Sequence, residues 1–317
     1  MAAASATLTT APRWTAALAA LAVAALLTAS ARSASMPTAT PRGPLAVAQR
    51  QASAGASRIV SLVPATTEML FDMGEGARLA GVGSFDRFPP DVQRLPRLGG
   101  LLDPDVERLL ALKPDLVVMY RTQSDLRRQL ERAGIPFFEY QHGSLSDIAE
   151  TMRALGDRVG VPAKGDDAAR RLEQRLSSTR QRVAGRPRPR TLLVFGRQPG
   201  SLRGINASGG VGFLHDLLEL AGGTNLLGDI KQPAVSVSTE MLLARAPDVI
   251  IELVYGDSPR VDRIDAERRA WDALPAVPAV RTGRIHLLSG DEFVVPGPRV
   301  ASAAERFART LHPEVVR

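Results

Sequence analysis

The sequence predicts an α/β protein of two Rossmann-like lobes joined by one long rigid helix, with a ligand cleft between the lobes. A chain of 317 residues is long enough for two domains of about 150 residues each. From Arg58 onward, short apolar runs alternate with amphipathic stretches, which is typical of α/β architecture. Much of this order recurs in the second half of the chain, after a stretch with helical spacing.

The first lobe is predicted at residues 58–160. Its first strand, 59–62, ends at Pro64, after which Thr66 or Thr67 is expected to cap a helix. The later elements are predicted as helices at 66–73, 106–112 and 126–133 and as strands at 79–83, 116–120 and 135–140. This alternation predicts an open α/β sheet, whose ligands bind at the ends of the strands.

A connecting helix is predicted at residues 161–185. One face of this segment carries Ala168, Leu172, Leu176 and Val183 at helical spacing, with Thr179 on the same face. A helix from Asp166 to Val183 would be about 27 Å long at 1.5 Å per residue. The sequence therefore predicts a rigid connection and only a small closure of the lobes.

The second lobe is predicted at residues 186–317. Its strands are expected at 191–195, 249–253 and 284–288, and its helices at 212–220, 239–245 and 300–311. The segment Glu107–Val118 aligns with Glu240–Ile251, with Glu, Leu-Leu-Ala, Pro and Asp identical in register. The match indicates that the chain contains an internal duplication.

The N-terminus is predicted to be an export signal, residues 1–31. Arg13 precedes the apolar run Trp14–Leu27, and the small residues that end at Ala31 match the cleavage site that signal peptidase recognises. The run is shorter than the roughly 20 residues of a membrane span, although a retained anchor is the alternative. Residues 32–57 are predicted to be a flexible spacer. We therefore expect cleavage near Ala31 and a periplasmic protein, without a lipid anchor because no Cys is present.

The charge balance argues against a nucleic-acid partner. The formal net charge is +7, but residues 1–57 contribute Arg13, Arg32, Arg42 and Arg50 and no Asp, Glu or Lys. Three further arginines alternate with proline at 186–190, without an aromatic residue among them. The positive charge therefore belongs mainly to the leader, the spacer and one short stretch. The absence of Cys also excludes disulfides, thiolate metal sites and Cys nucleophiles.

Motifs for catalysis are absent from the sequence. It contains no phosphate-binding P-loop and no G-x-S-x-G elbow, and its four His are scattered without metal-ligand spacing. The segment Ser208–Gly212 fits a turn that starts a helix, or an anion-binding loop. The residues that remain lie after predicted strands: Phe85, Phe88, Tyr120, Arg121, Tyr140 and His142 in the first lobe, and Arg197, Arg203, Asp291, Glu292 and Phe293 in the second. We expect them to line a ligand cleft, with no catalytic residue and no bound metal or cofactor of the protein's own.

The sequence resembles a known family. The motifs Arg58–Glu68, Leu112–Val118, Leu217–Asn225 and Pro296–Arg299 are similar to those of the periplasmic binding proteins of iron–siderophore and cobalamin ABC importers. The resemblance covers nearly all of residues 58–317 and looks closest to the cobalamin-binding members in the first lobe. It implies a ligand receptor with two α/β lobes and a rigid helix, and a permease dimer of the inner membrane as its partner. We expect such a receptor to be a monomer without catalytic activity.

The resemblance also implies roles for particular residues. Members of the family carry one Glu on each lobe that pairs with Arg residues of the permease, and these positions match Glu107 and Glu240. Phe85 and Tyr120 match cleft aromatics of the cobalamin-binding members, whereas Leu101 or Leu102 and Ala234 stand where those members carry Trp. The resemblance thus implies a corrinoid ligand.

Two alternatives to a corrinoid receptor stay open, a receptor for another ligand and an enzyme. Arg197 and Arg203 would suit an acidic ferric siderophore or the propionates of haem, and haem could take Tyr120 or His142 as an axial ligand. A secreted two-lobed enzyme that uses Asp291 or Glu292 with His142 is the alternative from a different class.

Overall fold

The computed structural model describes residues 55–254 and 261–314, so the predicted leader and nearly all of the predicted spacer lie outside the described residues. Within this part the predicted fold class is confirmed, because two α/β lobes are joined by one long helix. None of the described helices combines the length and the apolar character needed to cross a membrane.

Lobe one is a four-stranded parallel sheet with the strand order β2-β1-β3-β4. Its elements are β1 (Ile59–Ser61), α1 (Pro64–Asp72), β2 (Leu79–Val82), α2 (Val106–Ala111), β3 (Leu116–Tyr120), α3 (Ser124–Arg132), β4 (Phe137–Tyr140) and α4 (Leu145–Arg158), with short 3-10 helices at Gly76–Arg78 and Pro90–Arg94. The central strands β1 and β3 are buried, which is why they appear in the sequence as continuous apolar runs. The carboxyl ends of the four strands lie at one edge of the sheet, where ligands bind in open α/β folds.

The helix α1 begins earlier than predicted and is not capped by threonine. Pro64 occupies its first turn, where the missing N–H has no intrahelical partner to lose, and Val63 is the N-cap residue. Thr66 and Thr67 are buried within the helix, and Thr67 donates a hydrogen bond of 2.8 Å to the hydroxyl of Ser61. The predicted threonine cap is therefore wrong, because both hydroxyls bond inside the lobe instead.

A helical hairpin leads out of lobe one. The helix α4 begins with a capping box of Ser144 and Asp147, and α5 (Pro162–Arg182) is the connecting helix, about 32 Å long at 1.5 Å per residue. The two helices approach closely at Gly156 and Gly165, since a Cβ atom on Gly156 would lie 2.8 Å from the Cα of Gly165. The helix α4 is absent from the sequence prediction, although the Ser144–Asp147 spacing signals its start.

Lobe two contains a mixed sheet with the order β10-β9-β5-β6-β8. Its elements are β5 (Arg190–Gly196), β6 (Ile205–Ser208), α6 (Phe213–Leu220), β7 (Thr224–Asn225), β8 (Ala234–Val237), α7 (Thr239–Arg245), β9 (Val249–Val254), α8 (Val261–Arg269), α9 (Pro278–Arg281), β10 (Ile285–Ser289) and α10 (Val300–Leu311), with 3-10 helices at Ala270–Ala273 and Asp291–Phe293. The strands β10, β9, β5 and β7 pair in parallel, whereas β6 and β8 are antiparallel. These two short strands are missing from the prediction.

Gly212, with φ of 93°, is the N-cap residue of α6, so the 208–212 segment forms the turn that starts this helix.

The two segments aligned in the sequence have the same structure. Lys113 and Ala246, at matched positions, have φ of 48° and 46° and are the two non-glycine residues with positive φ in the described part of the chain. The Asp two residues later accepts a hydrogen bond from the first amide of the neighbouring strand segment in both lobes, Arg58 N to Asp115 and Arg190 N to Asp248, each at 3.0 Å. This shared geometry supports the duplication.

The lobes share one hydrophobic core through the connecting hairpin. The largest cluster of buried residues extends from β1 and β3 through α4 and α5 into α6 and α10. A hydrogen bond of 2.9 Å from the amide of Leu145 to the carboxylate of Asp216 also joins α4 to α6. The connection between the lobes is therefore packed as well as covalent, which is consistent with the rigidity predicted from the sequence.

Candidate functional site

The aromatic part of the site lies at the carboxyl ends of β3 and β4. Tyr120 and Tyr140 are the last residues of these adjacent strands and pair edge to face, with ring centroids 5.9 Å apart. His142 completes the cluster, with its ring centroid 5.6 Å from Tyr120 and 5.2 Å from Tyr140. The parallel register thus brings together three residues that the sequence predicted separately.

Burial determines the charge state of this cluster. It lowers the pKa of His142 to about 4, so the imidazole is neutral at neutral pH. Burial also raises the pKa of Tyr120 and Tyr140, which keeps both phenols protonated. The hydroxyl of Tyr140 lies 3.4 Å from Nδ1 of His142. The cluster is therefore uncharged at neutral pH, and its polar groups are two phenol hydroxyls and one imidazole.

Two further aromatic residues lie after β2. Phe85 and Phe88 are 45% and 42% exposed and lie close together in one loop, so both rings are accessible to a ligand. A Cβ atom on Gly100 would lie 3.1 Å from the ring of Phe85, so the glycine allows the loop to pass close behind this ring. The guanidinium carbon of Arg299, from lobe two, lies 4.4 Å from the centroid of the Phe88 ring.

An ion-pair network that the sequence analysis did not single out joins the lobes at this place. Arg299, just before α10, pairs with Glu68 of α1, with Nε to Oε2 at 2.9 Å. Arg299 also lies 3.5 Å from Glu292, which in turn pairs with Arg306. Burial raises the pKa of Glu68, and the hydrogen bond from Arg299 opposes this effect. Glu68 and Arg299 each end a motif quoted above for the family resemblance, which is the signal that could have identified them.

Asp86 is a second residue that sequence reasoning missed. It lies between Phe85 and Phe88 in sequence, is buried, and neither carboxylate oxygen accepts a hydrogen bond of normal geometry within the described part of the chain. Burial raises its pKa to about 7, although Thr67 and Arg97 lie close enough to oppose the shift. The loop that carries Phe85 and Phe88 thus buries a carboxyl group that is partly protonated at neutral pH.

The predicted ligand contact Arg197 has a structural position instead. Its side chain is 1% exposed and lies 2.9 Å from both Glu252 and Glu267. The indole N–H of Trp271 donates a hydrogen bond of 3.0 Å to Glu252. The geometry corrects the prediction, because the guanidinium is enclosed by these groups inside lobe two and has almost no exposed surface to offer a ligand.

The other predicted cleft residues are more accessible. Arg121 is exposed and donates to the side chain of Gln141 at 3.0 Å, and Arg203 is exposed in the turn between β5 and β6. Asp291 and Glu292 lie half-buried in the 3-10 helix after β10, but Glu292 is held by Arg299 and Arg306. The contacts of His142 are with the two tyrosines, so the acid–histidine arrangement of the enzyme alternative gains no support.

The two predicted docking acids occupy equivalent positions. Glu107 lies in the first turn of α2 and Glu240 in the first turn of α7, and both are exposed. The pKa of Glu240 is lowered by its own backbone N–H and by the hydroxyl of Ser238, which keeps its carboxylate charged.

The fold and these residues agree with the comparison to known proteins. Residues 59–291 match the family described as periplasmic binding protein. The chain belongs to the periplasmic binding protein family. Members of this family are substrate-binding proteins of transporters rather than enzymes, and membership implies a permease partner and a small-molecule ligand. The resemblance seen in the sequence is thereby confirmed.

Individual members show how similar the chain is to characterised proteins. The vitamin B12-binding protein of Yersinia pestis (strain Pestoides F) is 31% identical over 258 residues, which cover 81% of this chain and 86% of the relative. The crystal structure of the periplasmic vitamin B12 binding protein BtuF of Vibrio cholerae has a TM-score of 0.69 and 27% identity, covering 82% of this chain and 98% of that one. The periplasmic haem-binding protein RhuT from Roseiflexus sp. RS-1 also has a TM-score of 0.69, with 25% identity and coverage of 82% and 99%.

Proposed function

We propose that this chain is an exported periplasmic receptor that captures a corrinoid, cobalamin, in its cleft and delivers it to the permease dimer of an ABC importer. The observation that carries the ligand is the similarity over 258 residues to relatives named vitamin B12-binding protein. The leader would direct export and then be cleaved near Ala31, and the receptor would act as a monomer without a lipid anchor.

The aromatic residues at the strand ends of lobe one support a large, flat ligand. Phe85 and Phe88 have exposed rings after β2, and the half-buried Tyr120 is the last residue of β3. Aromatic faces bury a large apolar area and fit macrocycles, while the hydroxyl and imidazole groups nearby can bond the polar rim of a corrinoid.

The charges of the site also favour a corrinoid over a strongly acidic ligand. Arg197 is enclosed by Glu252 and Glu267, and Arg299 is paired with Glu68. Two cations that would otherwise bind carboxylates are therefore already paired with acids of the protein. Exposed Arg203 and Arg121 remain for contacts at the rim of the cleft.

Haem is the second candidate, and one observation favours it. Tyr120 and His142 lie side by side, and the low pKa of His142 leaves its imidazole able to coordinate iron. A ferric siderophore would rely on Arg121 and Arg203 instead, through charge-assisted bonds to its acidic groups.

Titration of cyanocobalamin, haemin and a ferric hydroxamate siderophore into the purified protein without residues 1–31 tests the proposal by calorimetry. We expect one cyanocobalamin per chain, with affinity lowered about tenfold in Tyr120→Ala because an aromatic contact is lost. Tyr120→Phe keeps the ring and should bind nearly as tightly as the wild type. Tight binding of haemin alone, lost in Tyr120→Phe or His142→Ala, would replace the corrinoid with haem.

A further inference from the structure

The equivalent helices α2 and α7 expose identical residues on one face. Glu, Leu and Ala recur at positions i, i+3 and i+4: Glu107, Leu110 and Ala111 on α2, and Glu240, Leu243 and Ala244 on α7. All six are exposed, and positions with this spacing lie together on a helix surface. We name these two sets the twin faces.

The neighbouring positions in the same helices have diverged. Arg108 is matched by Met241, and Leu112, the C-cap residue of α2, is matched by Arg245, at positions that lie off the twin faces. The identical Leu109 and Leu242 are fully buried, so packing inside each lobe accounts for them. Packing does not account for the identity of residues whose side chains face solvent.

The leucines of the twin faces are the unexpected members. Leu110 is 37% exposed and Leu243 is 45% exposed, in each case one helical turn from the acid. A single exposed leucine on a protein surface needs no explanation. Two of them at equivalent positions, each beside an equivalent acid, point to a partner that covers both.

We propose that Leu110 and Leu243 are apolar anchors for a two-fold symmetric membrane permease. A dimeric permease presents two equivalent patches, which two equivalent faces of one chain can meet at once. Each patch would pair a cation with Glu107 or Glu240 and cover the adjacent leucine, because interfaces place a charged rim next to a desolvated apolar contact. This inference rests on the proposed function and adds an apolar contact to its acid pair.

The turns that follow the two helices are alike. Lys113 and Ala246 have φ within a few degrees of each other, and both segments then bond to the start of the neighbouring strand through Asp115 and Asp248. Each helix that carries a twin face is therefore followed by the same left-handed residue and the same bond from an Asp to the neighbouring strand of its own lobe.

The test measures binding of the full mature chain to the source organism's corrinoid importer, reconstituted in lipid nanodiscs, at several salt concentrations. The variant Leu110→Ser with Leu243→Ser should bind about tenfold more weakly, because two partly exposed leucines no longer become buried. Each single variant should lose about threefold. The dependence of affinity on salt should stay that of the wild type, since no charge has changed.

Two comparison variants separate the possible outcomes. Glu107→Gln with Glu240→Gln should weaken binding and also flatten its salt dependence, and Val211→Ser, which changes an apolar residue of 38% exposure outside both helices, should have no effect. If the leucine double variant binds as tightly as the wild type while the glutamine variant does not, the acid pair stands and the leucine anchors are refuted. If neither variant weakens binding, docking through these helices is itself refuted. Unchanged cyanocobalamin affinity and unfolding temperature would show that the serine variants are folded.

Discussion

The two lobes share a helix–turn–strand unit but differ in chemistry at the ends of their strands. In lobe one the loop after β2 exposes aromatic rings and buries a carboxyl group, Asp86. In lobe two the end of β5 carries Arg197, which is buried between Glu252 and Glu267. The unit that faces the proposed permease is therefore retained in both lobes, while the strand ends have diverged.

The difference shows why strand-end position alone does not identify a ligand contact. Arg197 and Tyr120 both end a strand or come directly after one. Tyr120 lies next to other neutral rings. Arg197 instead pairs with two acids, and an indole N–H donates a hydrogen bond to one of these acids. A buried charge is retained only where it is paired, so partners rather than position decide which residue remains available.

The largest expected effect comes from removing Arg197. The variant Arg197→Ala leaves Glu252 and Glu267 without their cation in lobe two, and breaking such a buried pair costs about 3–5 kcal/mol of the free energy of unfolding. Urea denaturation followed by circular dichroism measures this loss. Cyanocobalamin affinity of the remaining folded protein should be nearly unchanged.

Arg203→Ala is the matched control for this experiment. Arg203 belongs to the same strand–turn region but is exposed, so its removal should change stability by less than about 0.5 kcal/mol. If Arg197→Ala is as stable as the wild type but binds the ligand more weakly, Arg197 belongs to the binding site. That result would contradict the contrast between the lobes.

The second effect is a pH dependence that comes from Asp86 in lobe one. Its folded-state pKa is about 7, against an ordinary value of 3.8. Between these values the unfolded chain has released the proton while the folded protein retains it, so the free energy of unfolding falls as the pH rises through this window. The variant Asp86→Asn resembles the protonated form, and we expect it to be about 2–4 kcal/mol more stable than the wild type at pH 8.

Urea denaturation of both proteins at intervals from pH 4 to pH 8 measures this difference. The neighbouring groups Thr67, Arg97 and Glu68 are present in both proteins, so the difference between the two curves isolates Asp86. Equal stabilities at pH 4 and a gap that widens toward pH 8 are the expected result. Parallel curves would mean that the carboxylate is already ionised and stabilised in the folded protein.

The fold was predictable where apolar residues followed one regular pattern along a whole helix or strand. The strand Leu116–Tyr120 and the helices Thr239–Arg245 and Val300–Leu311 have the predicted bounds. The antiparallel strands β6 and β8 are only four residues long, which is too short for a period to stand out. The start of α1 was misplaced because Pro64 can either end a strand or begin a helix.

The candidate site was predictable as a set of strand ends but not as a set of interactions. Sequence order places Tyr120, Tyr140 and His142 at the ends of neighbouring strands, and the parallel register then brings their rings together. The pair of Glu68 with Arg299 joins residues 231 positions apart, and no local pattern encodes such a contact. The burial of Arg197 likewise depends on α8, whose Glu267 lies 70 residues farther along the chain.

The smallest expected effect tests the geometry that the lobes have in common. Lys113 and Ala246 adopt left-handed backbone conformations that are unfavourable for residues with a Cβ atom, so Lys113→Gly and Ala246→Gly should each stabilise the protein by about 0.5–1 kcal/mol. Ala111→Gly, two residues before Lys113 and at the last position of the right-handed helix α2, should instead destabilise it by a similar amount. Urea denaturation of the three variants measures these changes. Because the two turns have the same geometry, the two gains should agree within about 0.5 kcal/mol and add in the double variant, since the sites lie in different lobes. Unequal gains would show that the turns are held by different surroundings, and they would weaken the argument that both helices present their exposed faces in the same way.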